Sequence, residues 1–149
     1  MSPSEAKVNF MLRLGKPKGL KDNSPTPKWF YKELDAEFHF DFDPCPINPE
    51  GLRSQDGLGS EWGQRNFVNP PYSKKRAWIE KAIVEQKKGK LTVMLLPVDT
   101  STGWFHDLIL PNADIRWLRG RLKLDNGNHP VYASFLAIFR PGSSAKENA

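Results

Sequence analysis

The sequence predicts an α/β domain, a mostly parallel sheet covered by helices with one antiparallel strand near the C-terminus. Three observations carry this. Short apolar runs of strand length alternate with stretches of helical periodicity. One run, residues 91–96, is apolar almost without interruption, as a strand buried on both faces must be. The last two strand-like runs are joined by a connection with no helical pattern, which leaves one of them antiparallel.

Taken in order, residues 1–23 read as a flexible basic segment, in which Phe10, Leu12 and Leu14 alternate as a short strand or docking arm would. Thr26 stands before Pro27, placed to cap a helix that begins with proline at its first turn. Trp29, Phe30, Leu34 and Phe38 then fall at helical spacing. Residues 38–43 alternate with period two, as a strand does, and stop at Pro44-Cys45-Pro46. Asp43 is thereby placed at the carboxyl end of a strand, where ligands bind in open α/β sheets.

Residues 47–59 are loop-like, and 65–68 form a short strand. Ser73 is placed to cap the next helix, whose apolar face is Trp78, Ile79, Ala82 and Ile83 and whose end is marked by Gly89. The strand 91–96 ends at Pro97. Thr100-Ser101-Thr102 are placed to cap a short helix bearing Trp104, Phe105, Leu108 and Ile109, closed by Pro111. Strands over 115–118 and 133–139 follow, with a basic, turn-rich connection between them. The domain is expected over 24–141, with 142–149 a disordered tail. Little room for helices lies between residues 43 and 65, so a full doubly wound sheet would be trimmed on that side.

At 149 residues the chain is long enough for one domain with a proper core. It has no apolar run near membrane-spanning length and no secretory pattern, so a cytoplasmic protein without membrane contact is expected. One cysteine and three scattered histidines argue against an internal disulfide and against a structural metal. The net charge of +5 is unevenly spread. Residues 33–61 carry eight acids and one base, whereas 74–90 carry seven bases and two acids, and 115–124 carry four bases and no acid. Clustered positive charge suits a polyanion; the plainer reading is a solvated face.

The stretch with chemical character is Asn69-Pro70-Pro71-Tyr72, directly after the strand 65–68. Neither proline has an N–H, and the residue before a proline is pushed out of the helical region. The turn is stiff and presents free carbonyls, with the Asn69 side-chain oxygen beside them. Two acceptors aimed at one point suit an amino group with two N–H bonds. Tyr72 offers a face on which a planar base can lie.

This motif resembles the catalytic motif of adenine-N6 methyltransferases, and the wider pattern is similar to the small phage-type DNA adenine methyltransferases. The matching pieces are Thr26-Pro27-Lys28-Trp29, Asp43-Pro44, Asp56-Gly57-Leu58 with Trp62, the Asn69–Tyr72 motif, Leu95-Leu96-Pro97, Trp104-Phe105-His106 and Gly120-Arg121-Leu122-Lys123. The resemblance implies a minimal Rossmann-like methyltransferase fold and S-adenosylmethionine as methyl donor. It implies that Asn69 and Pro70 accept from an adenine amine, with Pro71 completing the turn and Tyr72 stacking on an extruded base. On the donor side it implies Thr26, Trp29, Asp43, Pro44 and Asp56. For nucleic-acid contact the candidates are Ser73, Lys74, Arg119, Arg121 and Lys123. DNA is the expected partner, with RNA the alternative polyanion, and the protein a monomer or homodimer in a bacterial or phage-infected cell.

Two departures stand out. The turn after Asp43-Pro44 continues Cys45-Pro46-Ile47-Asn48-Pro49, with glycine only at Gly51, in place of a glycine-rich turn. Asp99 stands after Pro97-Val98, where the family that the chain resembles often has a basic residue. Two rival readings follow: methylation of RNA or of a protein glutamine amide, and a DNA-binding relative that has lost donor binding.

Overall fold

The computed structural model describes residues 24–47, 52–53, 56–125, 127 and 132–142. The alternation at Phe10, Leu12 and Leu14, the expected flexible segment 1–23, the turn residues 48–51 and the tail from 143 lie outside the described residues.

Helix α1 (Lys28–Phe38) buries Phe30, Leu34 and Phe38, a spacing of one residue per turn along one side. Strand β1 (Arg65–Val68) leads into a single 3-10 turn at Tyr72–Lys74, then α2 (Lys75–Lys87), then β2 (Leu91–Pro97). A short helical segment over Phe105–Ile109 follows, in which Leu110 N–H reaches back five residues to the Phe105 carbonyl. Strands β3 (Asp114–Trp117) and β4 (Ser134–Phe139) come last among the described residues.

Among the described residues four strands form one mixed sheet in the order β1-β2-β4-β3. The β1–β2 ladder is parallel, with Val68 opposite Met94. The β2–β4 and β3–β4 ladders are both antiparallel. A mostly parallel sheet was the expectation; by ladder the sheet is mostly antiparallel. The reason is topological. β4 is the strand that runs against the others, and it sits between β2 and β3, so its one reversal makes two antiparallel ladders.

The sheet is covered on both faces. Leu91, Val93 and Leu95 of β2 and Leu136 and Ile138 of β4 pack with α1. Met94 and Leu96, with Phe135, Ala137 and Phe139, pack with Trp78, Ile79 and Ala82 of α2. The alternation of side chains along a strand divides the two clusters. Both central strands are buried almost throughout, which accounts for their continuous apolar character.

The strand expected over 38–43 is reduced to one bridge, Phe42 with Asn66. Helical spacing claims Phe38, and His39 closes α1 in the left-handed region at φ 54°, its N–H returning to the Asp35 carbonyl. Few residues remain before Pro44, which has no N–H. Backbone bonds from Asp41 N–H to the Arg65 carbonyl (2.8 Å) and from Phe67 N–H to the Phe42 carbonyl (3.1 Å) still lay this segment beside β1. Asp43 is therefore next to the carboxyl end of β1.

Glu85, on α2, is fully buried. Its carboxylate accepts from Trp62 N–H at 2.6 Å and pairs with Lys88 Nζ at 3.0 Å and Lys90 Nζ at 3.4 Å. Burial pushes the carboxyl upward, but the Trp62 N–H and the ammonium groups of Lys88, Lys81 and Lys90 outweigh it and hold it below the usual glutamate range. A carboxyl lowered by folding contributes stability above its unfolded value and loses it as pH falls through the folded one. Glu85→Gln keeps an acceptor for Trp62 and removes the charge. Thermal unfolding at neutral pH should show a loss of about 2 kcal/mol, between an exposed and a fully buried pair. The gap to the wild type should narrow in acid; a gap that stays constant with pH would show that the charge is not what holds this loop.

Candidate functional site

The turn after β1 lies where a parallel strand delivers its end residues, at the carboxyl edge of the sheet. Asn69 is oriented through its side-chain nitrogen. Nδ2 donates to the Ser24 carbonyl at 2.9 Å and to Thr26 Oγ1 at 3.1 Å. With both amide hydrogens spent on the chain leading into α1, Oδ1 is turned the other way, as an acceptor.

Thr26 does not cap α1. The residue at the cap is Pro27, with no side-chain cap bond. Asp125, 97 positions along the chain, does this work: its two carboxylate oxygens accept from Lys28 N–H at 3.1 and 3.2 Å. A carboxylate at a helix N-terminus satisfies an orphan donor and suits the helix dipole. That leaves the Thr26 hydroxyl to Asn69. Ser73 likewise does not cap α2; Lys74 occupies that position without a side-chain cap bond.

Two cavities meet at Asn69. The larger, about 310 Å³, is lined by Thr26, Tyr31, Asp43, Cys45, Arg53 and Phe67 among others. Asp43 Oδ1 accepts from Cys45 N–H at 2.9 Å, an aspartate turn that leaves the second oxygen for the cavity. Asp43 is exposed as a residue, but the cavity wall around its carboxyl desolvates it and raises it above its usual range, and the Cys45 N–H and Arg53 pull it partly back. The loop that carries Asp43 is braced from behind. A Cβ at Gly57 would overlap the Pro44 carbonyl, so only glycine allows this approach, and Trp62 Nε1 donates to the Gly57 carbonyl at 2.7 Å.

The smaller cavity, about 20 Å³, lies on the other side of Asn69 against Tyr72, Leu95, Leu122, Leu124, Tyr132 and Ser134. It has room for about one water molecule. The rings of Tyr72 and Tyr132 are 5.1 Å apart and steeply inclined at 70°. Burial, then the Tyr132 ring and its hydrogen bond, push the Tyr72 phenol far above its ordinary range; burial also raises Tyr132. Both phenols stay neutral near pH 7, so neither is a general base there.

The remaining sequence candidates divide. Pro44 is buried behind the cavity wall and Asp56 is exposed at the start of a 3-10 turn, Asp56–Leu58; neither lines either cavity. Trp29 also lines neither, and its indole N–H donates to the Lys123 carbonyl at 2.9 Å. Ser73, Lys74 and Arg119 are exposed. In the stretch 121–124 the exposed Arg121 and Lys123 alternate with Leu122 and Leu124, which line the smaller cavity. This places the two cations on the rim beside Tyr72. Asp99 organises its own turn, accepting from Ser101 Oγ at 2.9 Å. Arg53, Tyr132 and Ser24 were missed by sequence reasoning. Arg53 had one available signal, as the lone base among the acids of 33–61.

Fold and site together define an α/β protein with two adjoining cavities, one larger and one aromatic, that share a single oriented amide. The sequence model of the family described as DNA N-6-adenine-methyltransferase (Dam) matches residues 15–134. The chain belongs to that family. It is 36% identical over 140 residues to a DNA N-6-adenine-methyltransferase of Escherichia phage T1, which covers 87% of this chain and 58% of the relative. It is 34% identical over 118 residues to a protein of the same name from Haemophilus phage HP1 (strain HP1c1), covering 70% of this chain and 65% of the relative. The chain thus spans less than two thirds of the length of either relative. No solved structure matches it significantly.

Thr26→Val removes one of the two acceptors that hold the Asn69 amide while keeping the shape of the side chain. A net hydrogen bond of about 1 kcal/mol corresponds to roughly fivefold faster solvent exchange of the Asn69 side-chain NH₂. Nitrogen-15 NMR of the labelled protein measures this directly; an unchanged exchange rate would mean that Thr26 does not hold the amide.

Proposed function

We propose that this chain is an S-adenosylmethionine-dependent methyltransferase that acts on the N6 amine of adenine in DNA, inside the cell that holds that DNA. Family membership supports the reaction class. The observation that carries the reading is the Asn69 amide, held by its nitrogen so that an acceptor oxygen faces outward where two cavities meet. In this reading residues 24–141 are the methyltransferase domain. The single strand β4 reversed between two others, with β1 and β2 parallel, agrees with a trimmed Rossmann-like sheet.

The larger cavity is of a size and chemistry that suit the methyl donor. Its volume lies at the lower end of ligand sites. Tyr31 and Phe67 supply apolar wall, and the free oxygen of Asp43 suits an ammonium group. When bound there, the donor supplies an electrophilic methyl group on a sulfonium. Asn69 Oδ1 and the Pro70 carbonyl accept the two amine hydrogens of adenine, and Pro71 stiffens their turn. Holding those hydrogens draws the nitrogen toward a tetrahedral shape and exposes its lone pair. No strong base is needed before attack, because the proton leaves once the nitrogen is positive. Positioning and dipole complementarity carry the rate.

Tyr72 gives the extruded base a stacking face. Entry of a base requires Tyr132 to move, since the slot beside Tyr72 is far smaller than a purine. Arg121 and Lys123 on the rim, with Ser73, Lys74 and Arg119, suit phosphate contact.

Mass analysis of nucleosides from DNA incubated with the protein and S-adenosylmethionine tests the reaction; N6-methyladenine is the expected product, and its absence would refute the proposal. Asn69→Ala should lower methyl transfer by at least about a hundredfold, as for loss of a preorganised polar contact, with donor affinity little changed. Donor affinity should also depend on Asp43. Its raised carboxyl must be ionised to hold an ammonium, so affinity should fall as pH drops through a window above the ordinary aspartate range. Calorimetric titration of Asp43→Asn should give weaker binding with a flatter pH response; a variant that keeps the wild-type profile would remove Asp43 from the donor site.

A further inference from the structure

We propose that Arg53 is a positioning residue that locks the loop bearing Asp43 and the turn bearing Asn69 into one register, a role that rests on the methyl-transfer reading above. Arg53 pairs with Ile47 in an isolated antiparallel bridge, which anchors its backbone to the Asp43 side of the site. Arg53 is among the residues that line the larger cavity. Nη1 donates to the Asn69 backbone carbonyl and also approaches the Cys45 carbonyl at 3.4 Å and the Cys45 Sγ at 3.6 Å. Nη2 faces the Ser24 carbonyl at 3.5 Å. One side chain thus joins three segments: the loop after Asp43, the turn after β1 and the lead into α1.

The turn needs such a tie. Pro70 and Pro71 have no N–H, so no backbone donor follows Asn69 until Tyr72. The Asn69 carbonyl lies one peptide before the Pro70 carbonyl, the second acceptor in the proposed reaction. Fixing the first sets the tilt of the second. Nη1 faces the acceptors of both loops and Nη2 the Ser24 carbonyl, so one planar fork serves all three segments; a lysine ammonium ends at about the position of the guanidinium carbon, a bond short of these acceptors. The charge of Arg53 also reaches Asp43 and Tyr72, drawing both back against the upward push of burial. Arg53 therefore connects the donor side, the acceptor turn and the aromatic slot. A displacement of about 1 Å in such an arrangement costs on the order of a hundredfold in rate.

The test uses the full chain with Arg53→Lys and Arg53→Gly beside the wild type. Steady-state methylation of DNA should show kcat reduced about thirtyfold or more in Arg53→Lys, with KM for DNA changed by less than about threefold, as for lost alignment. Added methylguanidinium should restore at least about a tenfold gain to Arg53→Gly and none to Asn69→Ala. Hydrogen exchange of Arg53→Lys should be faster in peptides covering 43–46 and 69–74 together, with β2 and β4 unchanged. A wild-type kcat in Arg53→Lys, or faster exchange in only one of the two segments, would overturn the proposal. If the wild-type protein does not methylate DNA, the reading of its function fails, and the exchange experiment still decides whether Arg53 ties the two segments.

Discussion

The side-chain nitrogen of Asn69 donates to two oxygens of the segment that leads into α1, and the geometry of the carboxyl edge follows from that pair of bonds. An asparagine amide has two donors and one acceptor oxygen. Spending the donors inward presents the oxygen outward without further machinery. The pair holds only while the segment 24–26 stays in place. Its position depends on Asp125, which binds the first turn of α1, and on the Trp29 indole, which binds the Lys123 carbonyl. Local motif chemistry is thereby fixed by contacts between residues about 95 positions apart.

The two faces of the sheet have different duties. The face toward α1 carries both cavities: Tyr31 and Phe67 line the larger, Leu95 and Leu122 the smaller. The face toward α2 is a core of large side chains, with Trp78 and Ile79 fully buried. Its buried carboxylate, Glu85, holds the segment at Trp62, and the Trp62 ring in turn holds Gly57 behind the Asp43 loop. The α2 side supports the site from behind. The rigid turn and the oriented amide are already formed, whereas the slot at Tyr72 is closed by Tyr132.

Much of the fold was legible because its elements have strong periods. The helix at 75–87, its end at Gly89 with φ +90°, and the strands at 65–68 and 91–97 all carry patterns that tertiary contacts reinforce. The run 38–43 misled because the alternation of a strand overlapped the last residue of a helical period. Caps misled for a different reason. Thr26 and Ser73 have the right chemistry at the right offset, but a distant carboxylate does the capping for α1, and at α2 the cap position falls to Lys74, which makes no side-chain cap bond. Asp56 and Trp29 matched a linear pattern, yet neither lines either cavity. Arg53 and Tyr132 lie in irregular segments, where no period marks a residue as facing a site.

By itself the sequence determined the stiff acceptor turn, because two prolines and an asparagine impose their conformations and hydrogen-bonding groups locally. It also determined the aspartate beside that turn and the apolar centre of the sheet, since burial on both faces demands an uninterrupted apolar strand. Only the tertiary structure decided which way the Asn69 amide points, which loops one guanidinium joins, and that a second tyrosine fills the space beside the first. Those outcomes depend on contacts across tens of residues, and hydrogen-bond direction is set by whichever partner the fold brings near.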